Sequence, residues 1–173
     1  MKIPVILGTA REGRQSEKVA KFVLEQVKKA GIDSGIIDVR DYRIAATDKT
    51  KEIPEAKKLA EKIKPADALI IIMPEYNHSF PGELKMMLDM LYEEYESKPV
   101  GICGVSNGPV GGARGMQSLR LTCIGLRMLP INAAVYFANV NELFDENGAI
   151  KDNSYEKKVN GLIASLRSQS KAA

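Results

Sequence analysis

One histidine and two cysteines in 173 residues remove several chemistries at once. A metal centre needs several spaced ligands, and His78 alone cannot supply one. A Ser-His-Asp triad would have to draw on the same His78. Cys103 and Cys123 are too few and too far apart for a disulfide framework. Each lies within an apolar stretch, so both read as buried, reduced thiols. Net charge is only +3 and is spread along the chain, which argues against the basic stripe of a nucleic-acid binder. No apolar run approaches the ~18 residues of a membrane span. The N-terminus lacks the basic, apolar and small-residue order of a signal peptide. Composition therefore predicts a soluble, cytoplasmic protein that binds neither nucleic acid nor membrane. Two nucleotide signatures are missing as well. Gly8 and Gly13 have P-loop separation, but Arg14-Gln15 stands where Lys-Ser/Thr would be, and there is no Gly-x-Gly-x-x-Gly.

What is present is an alternation of apolar runs and helical patterns along a single domain, residues 1–173. Strands are predicted at Ile3–Leu7, Ile36–Val39, Ala66–Met73, Pro99–Val105 and Ile131–Phe137. Helices are predicted from Ser16 to Ala30, from Pro54 to Lys64, from Glu83 to Tyr95, from Ala113 to about Leu126 and around Tyr155–Leu166. Residues 40–51 read as polar and irregular, and Lys171–Ala173 as a frayed tail. The run Ala68-Leu69-Ile70-Ile71-Ile72-Met73 is apolar throughout, as in a strand covered on both faces. Alternating strands and helices predict an α/β fold, a flavodoxin-like three-layer sandwich with five parallel strands in the order 2-1-3-4-5. The helix Glu83–Tyr95 carries more apolar side chains than one core face requires, and the surplus reads as an interface.

In such a sheet the ligand sits at the carboxyl ends of the strands. Three loops begin there, and all three are chemically distinctive. The first, Gly8-Thr9-Ala10-Arg11-Glu12-Gly13-Arg14-Gln15-Ser16, runs from a strand into a helix N-terminus. Backbone N–H groups and the helix dipole favour an anion at that place, while Thr9 and Ser16 add hydroxyls and Arg11 and Arg14 add charge. The second, Pro74-Glu75-Tyr76-Asn77-His78-Ser79-Phe80-Pro81-Gly82, is long for its position. Its prolines stiffen it and leave the N–H groups of Tyr76, Asn77 and His78 to face a ligand, with Tyr76 or Phe80 covering a flat ring. The third, Ser106-Asn107-Gly108-Pro109-Val110-Gly111-Gly112, is glycine-rich, which permits close approach to a flat ligand. Arg114 follows it at the start of a helix and is placed to meet an anion. A phosphate cradle and two walls, with few acid, base or nucleophilic groups between them, suggest that a cofactor carries the chemistry.

These three blocks, in this order, resemble the NADPH-dependent FMN reductase family, which includes chromate, quinone and azo-dye reductases. Pro74-Glu75-Tyr76-Asn77 is the most specific piece, and the resemblance covers nearly the whole chain. It implies non-covalent FMN and NADPH or NADH as hydride donor. Hydride would pass to flavin N5, followed by ping-pong reduction of a small acceptor: a quinone, free flavin, chromate, a ferric chelate or an azo compound. It also implies that Thr9, Arg11, Arg14, Gln15 and Ser16 hold the FMN phosphate, and that Pro74, Glu75, Tyr76 and Asn77 line the isoalloxazine ring. Ser106, Gly108, Gly111 and Gly112 would face its pyrimidine side, with His78 and Arg114 toward the substrates. The protein itself would supply no catalytic side chain. A homodimer or homotetramer is implied too. The alternative on the same fold is a flavodoxin-type electron carrier, which the positive charge disfavours.

Overall fold

The computed structural model describes residues 1–47 and 50–170, so the expected tail at 171–173 lies outside the described residues. The chain runs β1 (Val5–Leu7), α1 (Ser16–Lys29), β2 (Ile36–Asp38), α2 (Pro54–Ile63), β3 (Leu69–Pro74), α3 (Gly82–Leu88), β4 (Pro99–Val105), α4 (Ala113–Gly125), β5 (Leu129–Phe137), α5 (Val140–Leu143) and α6 (Ser154–Ser170). All five strands are parallel, in the order β2-β1-β3-β4-β5, as the alternation predicts. Single 3-10 turns at Val39–Tyr42 and Thr50–Glu52 interrupt the stretch expected to be irregular. Among the described residues no helix is long and apolar enough to cross a membrane.

The strand period of two sorts the core into two layers. Val5, Leu7, Ile70, Ile72, Cys103 and Val105 face α1 and α6. Ile6, Leu69, Ile71, Met73, Val100 and Ile102 face α2, α3 and α4. β3 is buried along Leu69–Met73 because helices cover both of its faces. Cys103 and Cys123 are buried and unbonded, as expected, and burial pushes the Cys123 thiol up to about 12.

The expected helix Glu83–Tyr95 is corrected. α3 ends at Leu88, the chain turns, and one 3-10 turn follows at Glu93–Tyr95. The turn carries Met90, Leu91 and Tyr95 back into the core beside Leu84, Met87 and Leu88, so most of the apparent surplus is buried within the same chain. A straight helix would have left part of it in water. Within the segment Tyr92 stays exposed, at 39%; the more exposed large apolar residues lie elsewhere, among them Leu121 at 73%, Ile124 at 59% and Leu129 at 44%.

Candidate active site

The first loop leaves β1 through Gly8, whose N–H donates to Ile72 O at 2.8 Å. A Cβ there would lie 2.9 Å from both that carbonyl and Leu84, so only glycine fits. The loop ends at Ser16, the first residue of α1. The Ser16 Oγ is buried and has no hydrogen-bond partner among the described residues. The backbone N–H groups of Glu12, Gly13, Gln15 and Ser16 likewise have no partner among the described residues. Unpaired donors of this kind are costly in a folded chain unless a ligand or water meets them. They border a cavity of about 470 Å³, lined further by Thr9, Arg11, Pro74, Glu75, Tyr76 and Ser106. The donors suit the phosphate of FMN, and the cavity beside Tyr76 and Ser106 suits a flat ring.

Arg11 borders the cavity and lies 5.8 Å from the Tyr76 ring centroid. It has no carboxylate partner among the described residues, which leaves its charge for an anion. Arg14 also borders the cavity, but its guanidinium is committed elsewhere. It donates to both oxygens of Asp38 and to Thr9 O, and pairs with Glu17 at 3.4 Å. The Asp38 hydrogen bond raises the Arg14 pKa further. Burial favours the neutral form of Asp38, yet the Arg14 hydrogen bond, the Arg40 N–H and both guanidinium charges outweigh it and hold the carboxyl below its ordinary value. Gln15 lines the cavity, with Nε2 3.5 Å from Gly13 O.

Thr9 is fully buried and hydrogen-bonded within the protein. Its Oγ1 donates to Glu83 Oε1 at 3.4 Å, lies 3.0 Å from Tyr76 Oη and accepts from Arg11 N at 3.3 Å. Glu83 also accepts the Ala10 N–H at 3.0 Å. Glu83 and Tyr76 thus join the first two loops.

In the second loop Asn77 and His78 both have positive φ, at 49° and 64°. The Tyr76 N–H donates to Ser79 O at 2.8 Å and the Ser79 N–H returns to Tyr76 O at 2.9 Å, a two-residue hairpin of the type those angles demand. The Tyr76 N–H is therefore used within the hairpin, which corrects the expectation that it faces a ligand. Asn77 and His78 sit on the exposed tip, outside the cavity lining. Glu75 lines the cavity but also accepts the N–H groups of Arg114 and Gly115, at 3.0 and 3.1 Å. It caps α4, as a carboxylate at a helix N-terminus does.

The third loop also differs from expectation. Ser106 borders the cavity, and its Oγ accepts the Gly108 N–H at 2.9 Å. Gly108, Gly111 and Gly112 are outside the lining. A Cβ on Gly111 would lie 2.8 Å from Tyr136 Cβ, so the close approach this glycine permits is to β5 rather than to a ligand. Residues 104–108 form a Gly-x-Ser-x-Gly pattern, but the Ser106 hydroxyl accepts a hydrogen bond within that turn, and the chain's one histidine is on the exposed hairpin tip, outside the lining that Ser106 borders and with no hydrogen bond to Ser106. Arg114 is exposed beside Glu75.

Several site residues escape sequence reasoning. Asn107, Val140 and Asn141 line the cavity. The last two belong to α5, a single turn whose signal was only its place after the carboxyl end of β5. Asp38, Arg40 and Glu83 support the first loop from other elements, and no local pattern marks them.

A family model described as NADPH-dependent FMN reductase matches residues 1–142. A quinone reductase of Pseudomonas putida is 28% identical over 160 residues, covering 88% of this chain and 86% of that protein. An NADPH azoreductase of Bacillus sp. (strain OY1-2) is 31% identical over 127 residues, covering 73% and 70%. Among solved structures, FerB of Paracoccus denitrificans, a flavoenzyme NAD(P)H:(acceptor) oxidoreductase, superposes with a TM-score of 0.84 at 20% identity, covering 97% of this chain and 98% of that one.

Proposed function

Because the chain belongs to the NADPH-dependent FMN reductase family, an enzyme class with non-covalent FMN and an NAD(P)H donor, we propose that it reduces a small diffusible acceptor in a ping-pong cycle. The observation that carries the site assignment is the buried, unpartnered Ser16 Oγ among free backbone N–H groups at the start of α1. When bound, FMN would supply the redox chemistry between the nicotinamide and the acceptor. The chain's own residues bind and orient. Ser16, the N–H groups from Glu12 to Ser16 and the unpaired Arg11 hold the phosphate. Pro74, Glu75 and Tyr76 form one wall of the ring site, and Ser106 and Asn107 the other. Tyr76 is held by its hydroxyl on Thr9 and by Arg11 over its face, so the wall is stiff before the ring arrives. His78 and Arg114, exposed outside the lining, are read as contacts for the donor or the acceptor.

An exposed, flat ring site is permissive, which supports a quinone, free flavin, chromate, a ferric chelate or an azo compound as acceptor. The relatives named quinone reductase and NADPH azoreductase favour the first and the last. A cytoplasmic location belongs to the same reading, since the donor pool lies in the cell interior. The test is an absorbance spectrum of the purified protein, repeated after anaerobic NADPH addition. Flavin bands that bleach support the reductase. Bands that persist with NADPH and NADH alike favour a carrier reduced by another protein, and no bands after incubation with FMN overturn the flavin reading.

The implied homodimer or homotetramer needs a face other than the buried Leu84–Tyr95 segment. Gln117, Leu121 and Ile124 follow one another at spacings of four and three along α4, the spacing of a helix-pair seam, and Leu121 and Ile124 are its most exposed apolar residues. We assign this stripe to a second copy of the chain. The double variant Leu121→Lys/Ile124→Lys is expected to sediment as a monomer where the parent sediments as a dimer or tetramer. An unchanged mass in the variant, or a monomeric parent, refutes the assignment.

A further inference from the structure

We propose that Arg40, in the 3-10 turn after β2, is a positioning residue that makes the site select a phosphorylated flavin over its unphosphorylated form; this rests on the FMN reading above. Three successive carbonyls of the first loop are taken up by guanidinium groups on the side of β2. Arg14 Nη1 donates to Thr9 O at 2.5 Å, while Arg40 Nε donates to Ala10 O at 3.1 Å and Arg40 Nη2 to Arg11 O at 2.6 Å. In a planar trans peptide the N–H opposes the C=O. Pulling these carbonyls to one side therefore turns the N–H groups of Ala10, Arg11 and Glu12 to the other. Ala10 N finds Glu83 and Arg11 N finds the Thr9 hydroxyl. Glu12 N has no partner among the described residues, and Glu12 borders the cavity.

Asp38 organises both arginines. Its carboxylate accepts from the Arg14 guanidinium and, at 3.0 Å, from the backbone N–H of Arg40. The Arg40 guanidinium has no carboxylate partner among the described residues, so its charge adds to the positive potential around the loop while its donors set the loop's shape. The Arg11–Glu12 peptide is the one of these three whose N–H has no partner among the described residues, so its orientation rests on the Arg40 bond to Arg11 O. Without Arg40 the Arg11 carbonyl is free to rotate inward, where it would repel an anion, while the Ala10 carbonyl is still restrained through the Arg11 N–H on the Thr9 hydroxyl. Arg40 itself is outside the cavity lining and makes no hydrogen bond to Tyr76 or Ser106 among the described residues, so a ring bound there is expected to feel its loss far less than the phosphate does.

The experiment titrates the full chain with FMN and with riboflavin, reading flavin fluorescence, in the parent, Arg40→Gln and Arg40→Lys. The parent is expected to prefer FMN. In Arg40→Gln the FMN Kd rises about tenfold, as for loss of a charge-assisted hydrogen bond, while the riboflavin Kd is unchanged. Arg40→Lys, which keeps the charge and one donor direction, falls between. An Arg40→Gln variant with the parental FMN-to-riboflavin ratio overturns the proposal, whether both affinities are intact or both fall together. A parent that binds the two flavins equally overturns the phosphate assignment itself. Arg40 is half-exposed, so these variants keep the fold, and Arg40→Lys gives the same discrimination should Arg40→Gln fail to fold.

Discussion

Ser16→Ala separates the binding role of the phosphate cradle from its structural role by the sign of two effects. In the flavin-free chain the Ser16 Oγ is buried with no partner among the described residues. An unsatisfied buried hydroxyl costs about 1–3 kcal/mol, and alanine is the better helix former by a few tenths. Ser16 is the first residue of α1 and makes no cap hydrogen bond, so its removal forfeits none. Flavin-free Ser16→Ala is expected to be as stable as the parent or up to about 2 kcal/mol more stable, which is up to ~6 °C in Tm for a chain of this length. FMN binding moves the other way. A hydrogen bond to a charged phosphate is worth about 1.5–3 kcal/mol, so the FMN Kd should rise by about 10- to 150-fold. At saturating FMN the parent gains more from linkage, by roughly 2 kcal/mol, and the order of melting temperatures reverses. Circular dichroism melts with and without FMN read the crossing, and flavin fluorescence reads Kd in a chain that has no tryptophan. If flavin-free Ser16→Ala melts several degrees lower and keeps the parental FMN Kd, the hydroxyl is structural and the cradle lies elsewhere.

Arg11→Ala removes the one cradle arginine without a carboxylate partner; FMN Kd should rise about tenfold or more by titration, while flavin-free Tm moves little because Arg11 is exposed. Arg14→Gln strands the partly buried Asp38 carboxylate, so urea unfolding should show a loss at neutral pH. Because Asp38 titrates below its ordinary value in the folded chain, the parent's advantage is full above about pH 4 and fades as pH falls through the lowered pKa; a parent–variant difference that grows toward pH 2–3 contradicts the ion pair. Glu75→Ala uncaps α4 at Arg114 and Gly115, and a loss of about 1–2 kcal/mol is expected, roughly 2–8 °C in Tm by calorimetry; a change below ~0.3 kcal/mol removes Glu75 as the cap.

The elements that local pattern controls were legible before any coordinates. The apolar run Leu69–Met73 can only be a doubly covered strand, and alternation with amphipathic helices leaves the parallel order as the natural outcome. The loop proposed to hold phosphate is equally legible, because strand, glycine, hydroxyls and helix start follow one another within a dozen residues. The segment Glu83–Tyr95 departs from the expected single helix for a physical reason. Helical periodicity assigns faces on the assumption that the axis continues, and a turn at Asp89 changes which residues meet the core.

Composition showed that the loops were chemical, but not what each side chain would spend its hydrogen bonds on. Arg11 and Arg14 stand three residues apart with the same charge; only the tertiary fold brings Asp38 from β2 to Arg14 and leaves Arg11 free. Glu75 and Glu83 became a helix cap and a loop anchor because α4 and the first loop arrive beside them. Gly111 approaches β5 rather than a ligand for the same reason. Periodicity and loop composition act over a few residues, and so the sequence by itself determined the sheet and which loops gather at the carboxyl ends of its strands. Partners for charges and donors come from distant strands, and so the tertiary structure alone decided which residues face the cavity and which hold those residues in place.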